Sequence, residues 1–84
     1  MKNWLVYLLR CSDNSLYCGV TNNLEARIAK HNQGTASKYT RSRLPVKLAG
    51  VRNNLTKQDA FKLEYQVKNR PAGKKVSFLE NKTF

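Results

Sequence analysis

Eighty-four residues make one domain, residues 1–84, because a chain this short buries one core and has nothing left for a second. Sixteen Lys and Arg against five Asp and Glu leave a formal charge of +11, a self-repelling surface whose natural partner is a polyanion. No apolar run approaches the roughly 20 residues of a membrane-spanning helix, and no charged start with a long apolar stretch opens the chain, so the expectation is nucleic acid rather than membrane and a cytoplasmic location.

The stretch from Trp4 to Leu9 is apolar on both alternating faces, the pattern of a central strand covered on both sides, and Leu16 to Val20 is its partner. Ser12-Asp13-Asn14 between them predicts a three-residue hairpin loop with Asn14 in the left-handed region, where Asn is tolerated. A loop of odd length puts Tyr7 and Tyr17 on the same face, whereas a two-residue turn at Asp13-Asn14 would separate them. Cys11 and Cys18 fall within this one hairpin, where a cross-link adds little, and are read as reduced. Together with His31, the single histidine, they fall short of the about four ligands of a zinc site.

Asn22, three residues before Glu25, is a capping-box-like start and Gly34 a stop, which predicts a helix over 23–33. At about 100° per residue, Leu24 and Ile28 form its buried stripe. His31 lies beside that stripe and Arg27 on its edge, one turn apart. Thr35 to Arg43 (TASKYTRSR) is a loop or a short helix. Pro45 to Arg52 alternates Val46, Leu48 and Gly50 against Lys47, Ala49 and Val51, a third strand that Asn53-Asn54 ends. Thr56 with Asp59 opens a second helix that Pro71 closes after Arg70, with Ala60, Leu63 and Val67 as its stripe and Phe61 widening one side. Ala72 to Leu79, with Val76 and Leu79 at helical spacing, forms a last short helix.

Glu64 falls inside the stripe of the second long helix, and a lone carboxylate on a buried face is costly unless it is paired, protonated or bound to a cation. It is either a structural ion pair or a metal ligand or catalytic acid; one carboxylate holds a Mg²⁺ when waters and phosphate oxygens complete the shell. Arg27 either snorkels to water or clamps a phosphate oxygen with its planar fork. His31 is either a satisfied half-buried histidine or part of the same site. Tyr7 and Tyr17 either pack the core or supply hydroxyls that position or deprotonate a water beside a cation. Gly19 removes a side chain next to Tyr17, leaving room for a substrate backbone. Lys38-Tyr39-Thr40-Arg41-Ser42-Arg43 reads as phosphate contacts plus one base or sugar stack, or as a solvated charged loop. Lys74 and Lys75 add only general attraction.

In this order the residues resemble the GIY-YIG nuclease superfamily, in particular its small single-domain bacterial members. Val6-Tyr7-Leu8 stands where the family writes GIY, Tyr17-Cys18-Gly19 where it writes YIG, and RIAKHNQG, KYTR and AFKLEYQVK follow. The resemblance implies an α+β fold, a small three-stranded antiparallel sheet flanked by helices, in the element order just read. It also implies that Glu64 holds one divalent metal, Mg²⁺ or Mn²⁺, that Arg27 contacts the scissile phosphate, that Tyr7 or Tyr17 activates or positions the water, and that His31 supports or shuttles a proton. Both tyrosines would face one catalytic surface, Gly19 clearing space for the DNA backbone and Lys38, Tyr39, Thr40, Arg41 and Arg43 holding it.

The departures from the pattern are Val6 for Gly and Leu8 for Tyr in the first motif, Val20 where some relatives carry Lys after the YIG glycine, and Asn81 as the one candidate for the late Asn of some members; the separate DNA-recognition domain of many relatives is not expected within these residues. The implied function is a metal-dependent DNA endonuclease of DNA repair or recombination, structure- rather than sequence-specific, acting on branched, flapped, nicked or single-stranded regions with or without a protein partner. The alternative is a non-catalytic nucleic-acid-binding module using the same basic face, which would gain nothing from Glu64 near phosphate. A ribosome- or RNA-associated structural protein accounts for the charge but not for Glu64.

Overall fold

Strand β1 (Trp4–Arg10) is apolar on both faces because it is covered on both: it is the middle strand of an antiparallel sheet in the order β2-β1-β3, with β2 (Leu16–Thr21) and β3 (Lys47–Leu55) at the edges. Between β2 and β3 run α1 (Leu24–Asn32) and the single-turn α2 (Lys38–Arg41). After β3 come α3 (Lys57–Lys68), a 3-10 turn at Ala72–Lys74 and α4 (Lys75–Asn81). The computed structural model describes residues 2–82.

The hairpin loop sets the register. The Cys11 N–H donates to the Ser15 carbonyl at 2.9 Å and the Asn14 N–H to the Cys11 carbonyl at 3.0 Å, closing a loop of Ser12, Asp13 and Asn14 with Asn14 at φ 68°. Tyr7 then pairs with Gly19 and Leu9 with Tyr17, so the two tyrosines share a face. On the opposite face Val6, Leu8 and Cys18 pack with Leu55 against Ala60, Leu63 and Val67 of α3 and Leu79 of α4. The tyrosine face buries Tyr7, Leu9, Cys11 and Val46 beneath Leu24 and Ile28 of α1. Cys11 and Cys18 are free and buried on opposite faces, beyond reach of each other.

Four boundaries differ from the sequence reading, each for a local reason. Asn23, not Asn22, caps α1, its Oδ1 accepting the Ala26 N–H at 3.2 Å. β3 starts at Lys47 and runs through Asn53-Asn54 to Leu55, because Asn54 at φ 61° absorbs an extra residue in a bulge between the Val6–Arg52 and Trp4–Leu55 pairs. A second irregularity between the Leu8–Gly50 and Leu9–Leu48 pairs breaks the expected alternation and leaves Leu48 exposed. α3 ends at Lys68, before Arg70, where the Lys75 ammonium donates to the carbonyls of Val67 and Lys68 at 3.0 Å each. Lys75 thus has a structural task the sequence did not reveal.

The core assignment makes a contrast that urea denaturation reads directly. Leu63→Ala removes a side chain with no exposed surface at the centre of the α3 face and is expected to cost roughly 2–5 kcal/mol. Leu48→Ala, on a strand yet 45% exposed, is expected to stay within about 0.5 kcal/mol of the wild type. Equal losses would contradict the β3 register.

Candidate active site

Burial at the tyrosine face forces its polar groups to find partners within the protein. Tyr7, 2% exposed in the central strand, places its hydroxyl 2.9 Å from Nε2 of His31, which α1 delivers from its last turn. The other imidazole nitrogen, Nδ1, lies 2.8 Å from Oγ1 of Thr40, and the Thr40 hydroxyl donates onward to the Ser37 carbonyl at 3.4 Å. With its proton committed to Ser37, Thr40 accepts from Nδ1–H, so Nε2 carries a lone pair and Tyr7 donates to it. Burial first, and then the Arg27 charge, hold the His31 pKa below its ordinary 6.5, which keeps the ring neutral. Burial, with Tyr17 adding to it, pushes the Tyr7 phenol well above its ordinary 10.0, while Arg27 pulls the other way.

Two sequence-based expectations change here. Gly19 does not hold open a channel for DNA: a Cβ there would fall on the Tyr7 ring, 2.5 Å from Cζ, so the missing side chain is what lets Tyr7 lie across β2. Thr40 has no exposed surface, so its hydroxyl serves His31 rather than a phosphate.

Outward from the buried pair, aromatic rings continue to the surface. Tyr17 meets His31 edge-on at 5.0 Å between centroids and stacks on Tyr39 at 6.1 Å, and the Arg43 guanidinium covers Tyr39 at 4.0 Å. Arg43 also binds Asp13 at 2.9 Å and donates to the Tyr39 carbonyl at 2.8 Å, tying α2 to the hairpin loop. That arginine, expected on phosphate, is engaged as a clamp. Tyr39, 37% exposed, remains open, as do Lys38 and Arg41. A groove lined by Leu16, Tyr17, Cys18, Tyr39, Lys68 and Lys75 crosses the free edge of β2.

Arg27 is half-buried and makes no side-chain hydrogen bond or ion pair among the described residues, yet its charge acts on both Tyr7 and His31. Glu64 approaches from the α3 side, and its carboxylate also acts on Tyr7. It raises the Cys18 thiol too, which burial mainly and Glu64 next push up to about 12, far from a reactive thiolate. The Glu64 side chain is 21% exposed and sits 3.5 Å from Lys68, one helical turn on, which is itself 55% exposed. So long and open a pair is worth about 0.3–0.5 kcal/mol and yields easily. Lys68 is a contact the sequence held in plain view, at the i,i+4 spacing.

Among the described residues no three His, Cys, Asp or Glu side chains converge. These residues form no closed all-protein metal cage; Glu64 offers a single carboxylate, and one carboxylate suits only an ion that keeps most of its shell as water or other oxygen ligands.

Two measurements check this geometry. Gly19→Ala overpacks the Tyr7 ring and is expected to lower stability by about 1–3 kcal/mol in denaturant titration. Because the His31 pKa is depressed in the fold, the unfolded chain takes up its proton first. The stability that neutral His31 contributes is complete above pH 6.5 and is lost as the pH falls below it. Urea midpoints of the wild type should decline through that window, and His31→Gln should remove the decline.

A family model described as the GIY-YIG catalytic domain matches residues 3–75. A UPF0213 protein of Nitratidesulfovibrio vulgaris is 45% identical over 90% of this chain and 69% of its own length. The UPF0213 protein YsiG of Lactococcus lactis is 44% identical over 96% of this chain and 79% of its own. One from Staphylococcus haemolyticus is 42% identical over 98% of this chain and all of its own length. The solution NMR structure of a UPF0213 protein from Bacillus halodurans, 38% identical, superposes with a TM-score of 0.56 over 94% of this chain and 84% of that one. The three-stranded sheet and flanking helices match that structure, and the chain belongs to the GIY-YIG family of nuclease domains.

Proposed function

We propose that this protein is a divalent-metal-dependent endonuclease that hydrolyses a phosphodiester bond of DNA, selecting its target by shape rather than by sequence, in DNA repair or recombination. The observation that carries the reading is the Tyr7 hydroxyl held on a neutral imidazole, with the charges of Arg27 and Glu64 both acting on it. A buried structural tyrosine needs a hydrogen-bond partner but not two opposite charges acting on it.

Glu64 would hold the Mg²⁺ or Mn²⁺ ion, which when bound withdraws charge from the phosphoryl group. Tyr7 takes a proton from the attacking water while passing its own to Nε2 of His31, so no free phenolate has to persist in a site that disfavours one. Thr40 makes this direction available by accepting a hydrogen bond from Nδ1–H, which leaves Nε2 free to take the proton. Arg27 presents its fork to the oxygens that gain charge in the transition state. It also couples substrate to base strength: the free guanidinium depresses His31, and a phosphate paired with it cancels that repulsion and makes Nε2 a better proton acceptor. Tyr17 and Tyr39 support the sugar-phosphate chain at the mouth, with Lys38 and Arg41 supplying phosphate contacts.

The test is cleavage of end-labelled branched, flapped, nicked, single-stranded and plain duplex DNA with Mg²⁺ or Mn²⁺. Glu64→Ala is expected to abolish cutting and to leave DNA binding in place. Tyr7→Phe and His31→Gln should each lower kcat by about 10²- to 10⁴-fold, and the double variant should be no slower than the slower single, as befits one proton path. Salt-dependent binding without cleavage of any substrate in either metal would overturn the enzyme in favour of a binding module.

A further inference from the structure

The outward face of α3 carries aromatic surface that the fold does not use. Ala60, Leu63 and Val67 point into the core with no exposure, while across the helix Phe61 is 48% and Tyr65 72% exposed. Lys57, Gln58, Lys62 and Gln66 line one shallow groove with these two rings. None of the five acids of the chain is among them. The aromatic surface extends onto β1, because the Trp4 ring lies 6.2 Å from Phe61, with the Lys57 ammonium 5.5 Å above it. Scattered exposed hydrophobic residues need no explanation, but two rings and a neighbouring indole in one basic groove mark a contact surface.

Helix geometry relates this face to Glu64. With about 1.5 Å of rise and 100° of turn per residue, Phe61 and Tyr65 sit on one side about 6 Å apart along the axis. The same geometry places Phe61 about 60° around the helix from Glu64, with Lys68 between the two directions. The aromatic face therefore begins beside the carboxylate.

We propose that this face binds single-stranded DNA leading away from the cleavage site, its bases stacked on Phe61 and Tyr65 and its phosphates held by Lys57 and Lys62; that it leads from a cleavage site rests on the nuclease reading of Glu64, whereas the stacking surface does not. Aromatic rings along a basic groove are what an unpaired strand requires, since it offers base faces and phosphates together. A duplex hides its base faces and gains only from the lysines. A second copy of this chain, also at +11, is repelled.

Fluorescence anisotropy in metal-free buffer reads binding without turnover. The probes are a labelled oligothymidine and a blunt duplex of equal length. Tyr65→Ala, at a position too exposed to disturb the core, should weaken oligothymidine binding about 10-fold and leave duplex binding within about 2-fold. Phe61→Ala/Tyr65→Ala should weaken it further, and Tyr65→Trp should restore it. Trp4, the single tryptophan, supplies a second readout: its emission should change when oligothymidine binds, and this change should vanish in the double variant.

Oligothymidine affinity indifferent to Tyr65→Ala, or an equal loss on duplex, overturns the proposal. So does sedimentation that finds a dimer dissolved by Tyr65→Ala at unchanged oligothymidine affinity. The two readings separate cleanly. Ring-dependent binding by a protein that cuts nothing upholds this surface and removes the nuclease, and cutting with ring-independent binding does the reverse.

Discussion

A hydrogen bond of 2.9 Å from the Tyr7 hydroxyl to His31, between two largely buried side chains, constrains the placement of most of the other site residues. Either group left without its partner would cost about 1–3 kcal/mol, a large part of what an 84-residue domain has in reserve. The elements around the bond are arranged to supply both partners at once. β1 brings Tyr7 through the middle of the sheet, the absent Gly19 side chain makes way for its ring, α1 brings His31, and α2 brings Thr40 to the far nitrogen. The three-residue loop closed by Asn14 stands upstream of all of these, because a register shifted by one residue would send Tyr17 and Gly19 to the α3 side.

The two faces of the sheet divide the work. The α3 and α4 face is aliphatic and supplies most of the hydrophobic burial through Val6, Leu8, Leu63, Val67 and Leu79. The other face gives up aliphatic packing for aromatic and polar contacts: Tyr7, His31, Tyr17 and Tyr39 touch in that order from the interior to the surface, and Arg43 closes the outer end. Rings of this kind have few rotatable bonds, so a chain of them holds its outer members in place at low entropic cost. A surface tyrosine such as Tyr39 thereby inherits its orientation from a buried one.

What could be read from the sequence follows from how locally each feature is determined. The hairpin register was legible because an odd loop and a single Asn settle it, and the α3 stripe because its period shows through twelve residues. The bulges of β3 were not, since they depend on the partner strand rather than on the pattern within β3. Gly19 was recognised as space, but a sequence does not say what fills a space, and here it is a ring of the same protein. Thr40 and Arg43 looked like surface chemistry because their residue types are common there; only the fold brings Thr40 against His31 and Arg43 against Asp13. Glu64 does carry the ion pair that one of its two alternatives expected, though a long and exposed one.

The placement of the site over β2 has its own physical logic. An edge strand presents unpaired backbone groups and invites pairing with another chain, a hazard that proteins limit with short strands and nearby lysines. β2 has six residues, and its open side meets Lys68 and Lys75 across the groove that Tyr17 and Tyr39 also line. Those lysines discourage a second strand and attract phosphate by the same charge. An extended polyanion, unlike a β-strand, needs no backbone ladder and is drawn to the positive potential. Edge protection and a positive potential thus come from one arrangement, and across the sheet beside it Glu64 on one face and Tyr7 on the other lie within electrostatic reach of each other.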